Sequence, residues 1–131
     1  MKEIIVPNDL DSAKQPEELI LGEVSACGYC ESAAFAIKLA LEEALTNAVR
    51  HGNRCDPTKR VTVRYEVTPE RTQIEICDEG CGFQPDTVPD PTTPENIDRP
   101  FGRGIMLMRA YLDEIEYGGC GNIVRLVKLN R

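Results

Sequence analysis

The stretch that decides the fold is LEEALTNAVRHGN, residues 41–53, which has the pattern of the last turns of a long helix ending at Gly52. Helical spacing puts Glu43, Asn47 and His51 at i, i+4 and i+8, so these polar side chains are predicted to share one flank. A different stripe is apolar and is expected to be buried: Ile37, Leu41, Ala44 and Ala48. An amide oxygen can ligate Mg2+ and a carboxylate can accept a proton, so the polar flank suits a metal-bound phosphate. A solvated helix face would show the same pattern.

Composition indicates one globular domain. The 131 residues are 41% hydrophobic and 28% charged, which suffices for one core, and we expect a single domain over 1–131. The net charge of −7 argues against general nucleic-acid binding and is compatible with a protein partner that carries basic residues. No apolar run reaches membrane-span length and no signal-peptide pattern opens the chain, so we expect a cytoplasmic protein without a membrane partner.

The six cysteines do not indicate a disulfide framework, because a chain of this length can form a core without one and no export signal is present. Cys27 and Cys30 form a Cys-x-x-Cys pair, but no second pair at matching spacing follows to complete a zinc site. A thioredoxin-type redox site needs the pair at a strand-to-helix junction, whereas this pair falls between two predicted helices. We interpret both cysteines as packing residues or as incidentally exposed.

Hydrophobic periodicity predicts three helices and five strands. The expected order is strand 2–6, helix 11–26, helix 31–51, strand 61–67, strand 72–77, helix 102–112, strand 113–117 and strand 123–129. Gly28 is expected to end the first helix. A short turn after residue 67 predicts that the second and third strands pair antiparallel. The last strand is apolar on both faces, which predicts an internal position in the sheet.

A second motif, DEGCGF, occupies residues 78–83 directly after a predicted strand. Gly80 and Gly82 allow the backbone to bend sharply and to approach a ligand closely. Asp78, at the strand end, is well placed to accept a hydrogen bond from an amino group. A plain turn is the alternative, because Asp-Glu-Gly is common turn chemistry.

A third motif follows the proline-rich stretch 84–101, whose length and lack of periodicity are typical of a loop that covers a site or is disordered. Gly102 and Gly104 stand at the entrance to the predicted helix, where free N–H groups and the helix dipole favour an anion. Arg103 between them can add positive charge against a phosphate, or it can be a solvated surface side chain.

Together the three motifs resemble those of the Bergerat-fold (GHKL) ATPases, the superfamily of gyrase, the large heat-shock chaperone, histidine kinases and mismatch-repair ATPases. Within it, the chain is most similar to the small serine/threonine-protein kinases that serve as bacterial anti-sigma factors. EALTNA at 43–48, followed by His51-Gly52, carries this closer resemblance. The motifs at 78–83 and 102–108 complete it, and the likeness covers almost the whole chain.

The resemblance implies a role for each matching residue. Glu43 would be the general base, and Asn47 would ligate the Mg2+ that bridges the ATP phosphates. Asp78 would accept from the adenine amino group. The remaining nucleotide contacts would come from Gly80 and Gly82 beside adenine, Gly102, Arg103 and Gly104 around the phosphates, and His51 near the phosphates. One departure is that Gly121-Asn122 stands where the family often has Gly-Thr, which leaves an adenine contact at that position open.

We therefore predict an α+β fold, a two-layer α/β sandwich whose mixed, mostly antiparallel sheet has helices on one face. ATP would lie between helices and sheet, under the 84–101 loop. The predicted function is that of an anti-sigma factor that transfers the ATP γ-phosphate to a serine of a STAS-type anti-anti-sigma protein. The family also implies a homodimer that binds a sigma factor, with no direct nucleic-acid contact.

Two other functions fit parts of the same pattern. A non-catalytic, ATP-dependent binding protein would share the nucleotide motifs but would have no need of a carboxylate at Glu43. A stand-alone catalytic domain of a histidine kinase would also share them, but no dimerisation helix or second histidine accompanies this one. The identity of the phosphorylated residue in the partner would separate the two kinase classes.

Overall fold

The computed structural model describes residues 1–52, 58–79, 111–118 and 122–131, with positions 51 and 52 described for the main chain only. Its elements, in chain order, are β1 Lys2–Pro7, α1 Leu10–Ala26, α2 Glu31–Thr46, a π-helical turn Asn47–Gly52, β2 Arg60–Val67, β3 Arg71–Asp78, β4 Glu114–Gly118 and β5 Ile123–Leu129. Tyr111 is helical, and the rest of the predicted helix 102–112 up to residue 110 lies outside the described residues.

The five strands form one sheet in the order β1-β2-β3-β5-β4. Helices α1 and α2 pack on it, so the predicted α+β sandwich is confirmed. The prediction of a mixed sheet is wrong for the described strands, because every pair among them is antiparallel. Short links join β2 to β3 and β4 to β5, and only antiparallel neighbours can be joined in this way. β5 pairs with β3 on one side and with β4 on the other, as its apolar character predicted.

Alternation along the strands separates a buried face from a polar one. On the buried face Val63 pairs with Ile76, and Ile74 lies between Tyr65 and Leu126. All five side chains are at least 96% buried under the helices. Burial of each such side chain contributes about 1.5–3 kcal/mol, so this face holds the sandwich together.

The opposite face of the sheet carries a row of charges across three strands. Arg64 on β2 binds Glu3 on β1 at 2.7 Å and Glu75 on β3 at 2.8 Å. An antiparallel sheet with one face on a core and one polar face has this alternation. Neither described helix is long and apolar enough to cross a lipid bilayer.

Helix α1 has recognisable signals at both ends. Its N-cap Asp9 accepts a hydrogen bond from the Ser12 main chain at 2.6 Å, satisfying an N–H that the helix leaves free. At the other end Gly28 has a φ of 74°, a left-handed conformation that suits glycine. The prediction that Gly28 ends this helix is therefore confirmed.

Helix α2 departs from the prediction at its C-terminal end. The sequence predicted one continuous helix to His51, but α-helical geometry ends at Thr46 and residues 47–52 form a π-helical turn. A π-helix closes its hydrogen bonds between residues five apart. The α-helical spacing that grouped Glu43, Asn47 and His51 on one flank therefore holds from Glu43 to Asn47 and does not extend to His51.

Candidate functional site

Glu43 is fixed by the helix that carries it. Its neighbours Ala44 and Leu45 are buried to 97%, so α2 cannot rotate without exposing the core, and the Glu43 side chain is held half-buried. Burial, and then the nearby Glu42 carboxylate, raise the pKa of Glu43 above its usual 4.5. A carboxylate with a raised pKa is better matched to proton transfer near neutral pH than an exposed one.

Asn47 lies one helical turn after Glu43, where the α-helix changes to the π-helical turn. Its main-chain N–H bonds to the carbonyl oxygens of Glu43 and Ala44, and its side chain is half-buried. Ala48 and Val49, which follow it, are buried in the core and anchor the turn. π-Helical turns occur frequently at functional sites, so this geometry marks Asn47 independently of its residue type.

Asp78 is the last residue of β3. It lies at i+2 from Ile76 and therefore on the sheet face that carries the helices. The Asp78 main-chain N–H donates to the Asn122 carbonyl at 2.9 Å, and the Asn122 amide donates to the Asp78 carbonyl at 3.2 Å. These two bonds hold the strand end that precedes the second motif.

Strand β3 also contacts the π-helical turn, so the element that ends at Asp78 and the turn that begins at Asn47 are neighbours. The structure thus brings together the elements that carry Glu43, Asn47 and Asp78. For His51 it describes only the main chain, in the same turn. The other predicted nucleotide-binding residues lie outside the described residues: Gly80, Gly82, Gly102, Arg103 and Gly104.

Sequence reasoning did not predict that the Glu79 side chain links two strands near the candidate site. Its carboxylate accepts a hydrogen bond from the Arg60 main chain at 2.6 Å, which ties the start of β2 to the end of β3. Sequence reasoning also missed the hydrogen bonds that join Asn122 to Asp78. Both contacts link residues distant in sequence. The predicted antiparallel pairing of β2 and β3 was a signal for the first contact, whereas the second depends on the pairing of β3 with β5, which the sequence did not predict.

The described residues fit a magnesium nucleotide better than a protein-enclosed metal. Among residues 1–50, 58–79, 111–118 and 122–131, no group of three or more His, Cys, Asp or Glu side chains could hold an ion. Mg2+ commonly takes only one or two protein ligands and completes its shell with phosphate oxygens and water. A half-buried amide oxygen at Asn47 matches that requirement.

A cavity of about 260 Å³ lies between α1 and α2, beside the candidate site. Glu17 on α1 and Glu42 on α2 both line it, and their side chains share a hydrogen bond. Glu42 precedes Glu43 in the sequence, so the two α2 carboxylates lie on different flanks of the helix. The cavity therefore belongs to the helix–helix contact and not to the flank with Glu43.

The chain is similar in sequence to known serine-protein kinases. It is 25% identical over 114 residues to the serine-protein kinase RsbW of Listeria innocua, an alignment of 78% of this chain with 73% of that protein. The serine-protein kinases RsbW of Bacillus licheniformis and Bacillus subtilis are 34% and 33% identical to it. These two alignments cover 72% of this chain and 62% of each Bacillus protein.

A solved structure has the same fold. The crystal structure of the RsbU and RsbW domains of a Mycobacterium tuberculosis protein superposes with a TM-score of 0.60 at 15% identity, over 100% of this chain. The chain spans about a third of that longer protein, 32% of its length. Residues 7–128 match the sequence family described as the histidine kinase-like ATPase domain. With motifs, fold and sequence in agreement, the chain belongs to the histidine kinase-like ATPase domain family.

Proposed function

We propose that this protein is an ATP-dependent serine kinase that acts as an anti-sigma factor in a partner-switching system. The observation that carries the proposal is the half-buried Glu43, with a raised pKa, one helical turn before Asn47, whose π-helical turn contacts the strand that ends at Asp78. The similarity to serine-protein kinases RsbW supports the class of acceptor. Residues 1–131 would then be one ATP-binding domain.

In this proposal Asn47 would hold Mg2+, which would neutralise charge on the ATP phosphates. Asp78 accepts from the adenine amino group, and Gly80 and Gly82 let the main chain approach the base. Glu43 accepts the proton of the acceptor serine, whose oxygen bonds to the γ-phosphorus while the bond to ADP breaks. Phosphoryl transfer depends mainly on positioning and charge neutralisation, so few protein groups are needed. The remaining phosphate contacts are assigned to Gly102, Arg103 and Gly104, with His51 nearby.

The proposed partners are a sigma factor and a STAS-type anti-anti-sigma protein whose serine is the acceptor. The acidic net charge of −7 supports a partner with a basic surface. We also propose that the kinase is a homodimer, as the resemblance implies. A cytoplasmic location follows from these partners, because a sigma factor works where the DNA and the polymerase are.

Incubation of the purified protein with a STAS-type substrate and γ-labelled ATP tests the proposal. Wild type should label a serine, and Glu43→Gln should lower the rate about 10²–10⁴-fold, the usual contribution of general-base assistance. Glu42→Gln is the matched control, because it removes the neighbouring carboxylate on the other flank and should keep the rate within several-fold.

The chemistry of the label separates this function from its alternatives. Phosphoserine survives acid, whereas phosphohistidine does not, so an acid-labile label would indicate histidine-kinase chemistry. ATP binding without any labelled partner, together with unchanged partner binding in Glu43→Gln, would indicate a non-catalytic binding protein. Full labelling by Glu43→Gln would contradict the assigned base.

A further inference from the structure

The turn between α1 and α2 carries two free thiols that differ in exposure. Cys27 is half-buried and packs against the core, whereas Cys30 is exposed. Cys30 is the N-cap of α2 and Asn47 is its C-cap, so the two residues lie about 26 Å apart along the helix. The pair is therefore separate from the proposed nucleotide site.

Cys30 stands at the N-cap of α2 in an extended conformation, with φ −68° and ψ 162°. It precedes the free N–H groups and the positive end of the helix dipole, which stabilise a negative charge. Its Sγ lies 3.3 Å from the Ser32 Oγ. The Ser32 hydroxyl, and then the Ala33 main-chain N–H, lower the pKa of the Cys30 thiol. Exposure and a favoured thiolate are the two properties of a reactive cysteine.

The chain on the other side of the turn is held in place. The N–H of Gly28 bonds to the Ser25 carbonyl, and the N–H of Tyr29 bonds to the Val24 carbonyl. This pattern is the Schellman motif, with Cys27 as the C-cap and Gly28 left-handed. Tyr29, which is 91% buried, also donates its hydroxyl to the Thr68 carbonyl at 2.7 Å.

This anchoring has a chemical consequence. Cys27 is the C-cap of α1 and Cys30 is the N-cap of α2, so only Gly28 and Tyr29 separate the two thiols. The two main-chain hydrogen bonds of the Schellman motif fix the conformation of this short connection. The Cys-x-x-Cys pair thus has an exposed attacking sulfur and a less exposed neighbour that can resolve it.

We propose that Cys30 and Cys27 are a modification site for hydroperoxides, in which Cys30 is oxidised first and Cys27 then closes a disulfide. The Cys30 thiolate attacks the peroxide, so an S–O bond forms, the O–O bond breaks, and an alcohol or water leaves. The Cys27 sulfur then attacks the sulfenic acid, so the S–S bond forms and water leaves. Two thiols are oxidised by two electrons, and one peroxide is reduced.

Cys77 on β3 is the internal comparison. It is half-buried, and burial, followed by the Glu75 carboxylate, raises the pKa of its thiol. The surroundings of Cys77 thus raise the pKa of its thiol, whereas those of Cys30 lower the pKa of the Cys30 thiol. Cys77 should react slowly with both alkylating agents and peroxide.

The test uses the full chain, iodoacetamide or hydrogen peroxide, and peptide mass mapping. Cys30 should be alkylated at least several-fold faster than Cys77, and the ratio should grow as pH falls from about 9 to 7. Peroxide should remove 2 Da, two hydrogens, from the peptide that contains residues 27–30. Cys27→Ser should instead accumulate a sulfenic acid at Cys30 that dimedone traps.

Three results would overturn the proposal: equal alkylation of Cys30 and Cys77, a disulfide from Cys30 to any other cysteine, or peroxide sensitivity of Cys27 that persists in Cys30→Ser. Ser32→Ala is the graded variant, because it removes the hydroxyl nearest the sulfur and should slow alkylation without changing the fold. ATP affinity serves as the separate readout and should not change in Cys30→Ser, so failure of the nucleotide assignment would leave this result interpretable.

Discussion

Asn122 and Asp78 are joined by two hydrogen bonds: the Asp78 N–H donates to the Asn122 carbonyl at 2.9 Å, and the Asn122 amide donates to the Asp78 carbonyl at 3.2 Å. The first continues the β3–β5 ladder by one residue, and the second is made by a side chain. Asn122 therefore stands directly beside the residue proposed to bind adenine. Asn122, which stands where the family often has the threonine of Gly-Thr, therefore has a structural role at the end of β3.

Asn122→Ala should weaken ATP binding, because it removes the side-chain bond that holds the Asp78 main chain. Loss of one such bond costs about 0.5–1.5 kcal/mol of unfolding free energy, measured by denaturant titration. Asn130→Ala is the matched control, since its amide donates to the Pro69 carbonyl at 2.8 Å at the other end of β3. Both variants should lose similar stability, but only Asn122→Ala should lose ATP affinity in calorimetry. Equal affinity in the two would contradict this role.

Asn47→Ala should abolish the magnesium dependence of nucleotide binding. In wild type, chelation of Mg2+ should lower ATP affinity by calorimetry, because the metal would link Asn47 to the phosphates. In the variant, affinity should already be low and should not respond to chelation. The fold should persist, since the half-buried Asn47 contributes its main chain and not its side chain to the helix end. A variant that still responds fully to Mg2+ would rule out Asn47 as the ligand.

Stability should fall as pH rises through neutrality, because of Glu17. Burial, and then the hydrogen bond to Glu42, raise the pKa of Glu17 from 4.5 to about 7. Between pH 4.5 and about 7 the folded chain thus binds more protons than the unfolded chain. The contribution of Glu17 to the unfolding free energy is therefore complete below about pH 4.5 and is lost as pH rises through about 7. Lys38 opposes the shift and Glu18 adds to it. Solvent screening limits the change to about 1 kcal/mol, because the side chain of Glu17 is only half-buried.

Denaturant titrations between pH 5 and 8 measure how the unfolding free energy changes with pH. Glu17→Gln should flatten the pH dependence of the unfolding free energy, because the glutamine does not titrate. Glu18→Gln, at the exposed neighbouring position, should retain it. If the unfolding free energy of Glu17→Gln changes with pH as it does in wild type, the α1–α2 contact is not the source of the pH dependence.

Leu41→Ala should destabilise the fold strongly, since this side chain is fully buried between α2 and the sheet. Leucine-to-alanine changes at such sites cost about 2–5 kcal/mol through lost burial and the cavity left behind. Leu19 is 46% exposed, so Leu19→Ala should cost about 1 kcal/mol or less. Thermal and denaturant unfolding of both variants checks the contrast.

Much of the fold follows from short-range pattern. Strand 61–67 was predicted by its alternation and is observed as Arg60–Val67, and the apolar stripe of α2 is buried as expected. The candidate site was less accessible to sequence reasoning. Glu43 and Asn47 could be grouped because they lie on one helix, whereas the approach of β3 to their turn depends on packing between elements. The glycines of the second and third motifs remain predictions.

The sequence by itself determined the elements, the Gly28 helix end and the family, because periodicity, end signals and motifs depend on residues close together in the chain. Only the tertiary structure decided that β5 lies between β3 and β4, that α2 changes to a π-helical turn at Asn47, and that Asn122 holds Asp78. It also decided that Cys30 is an exposed helix cap and not a packing residue. The physical reason is that strand order, helix winding and side-chain exposure are set by contacts between distant residues.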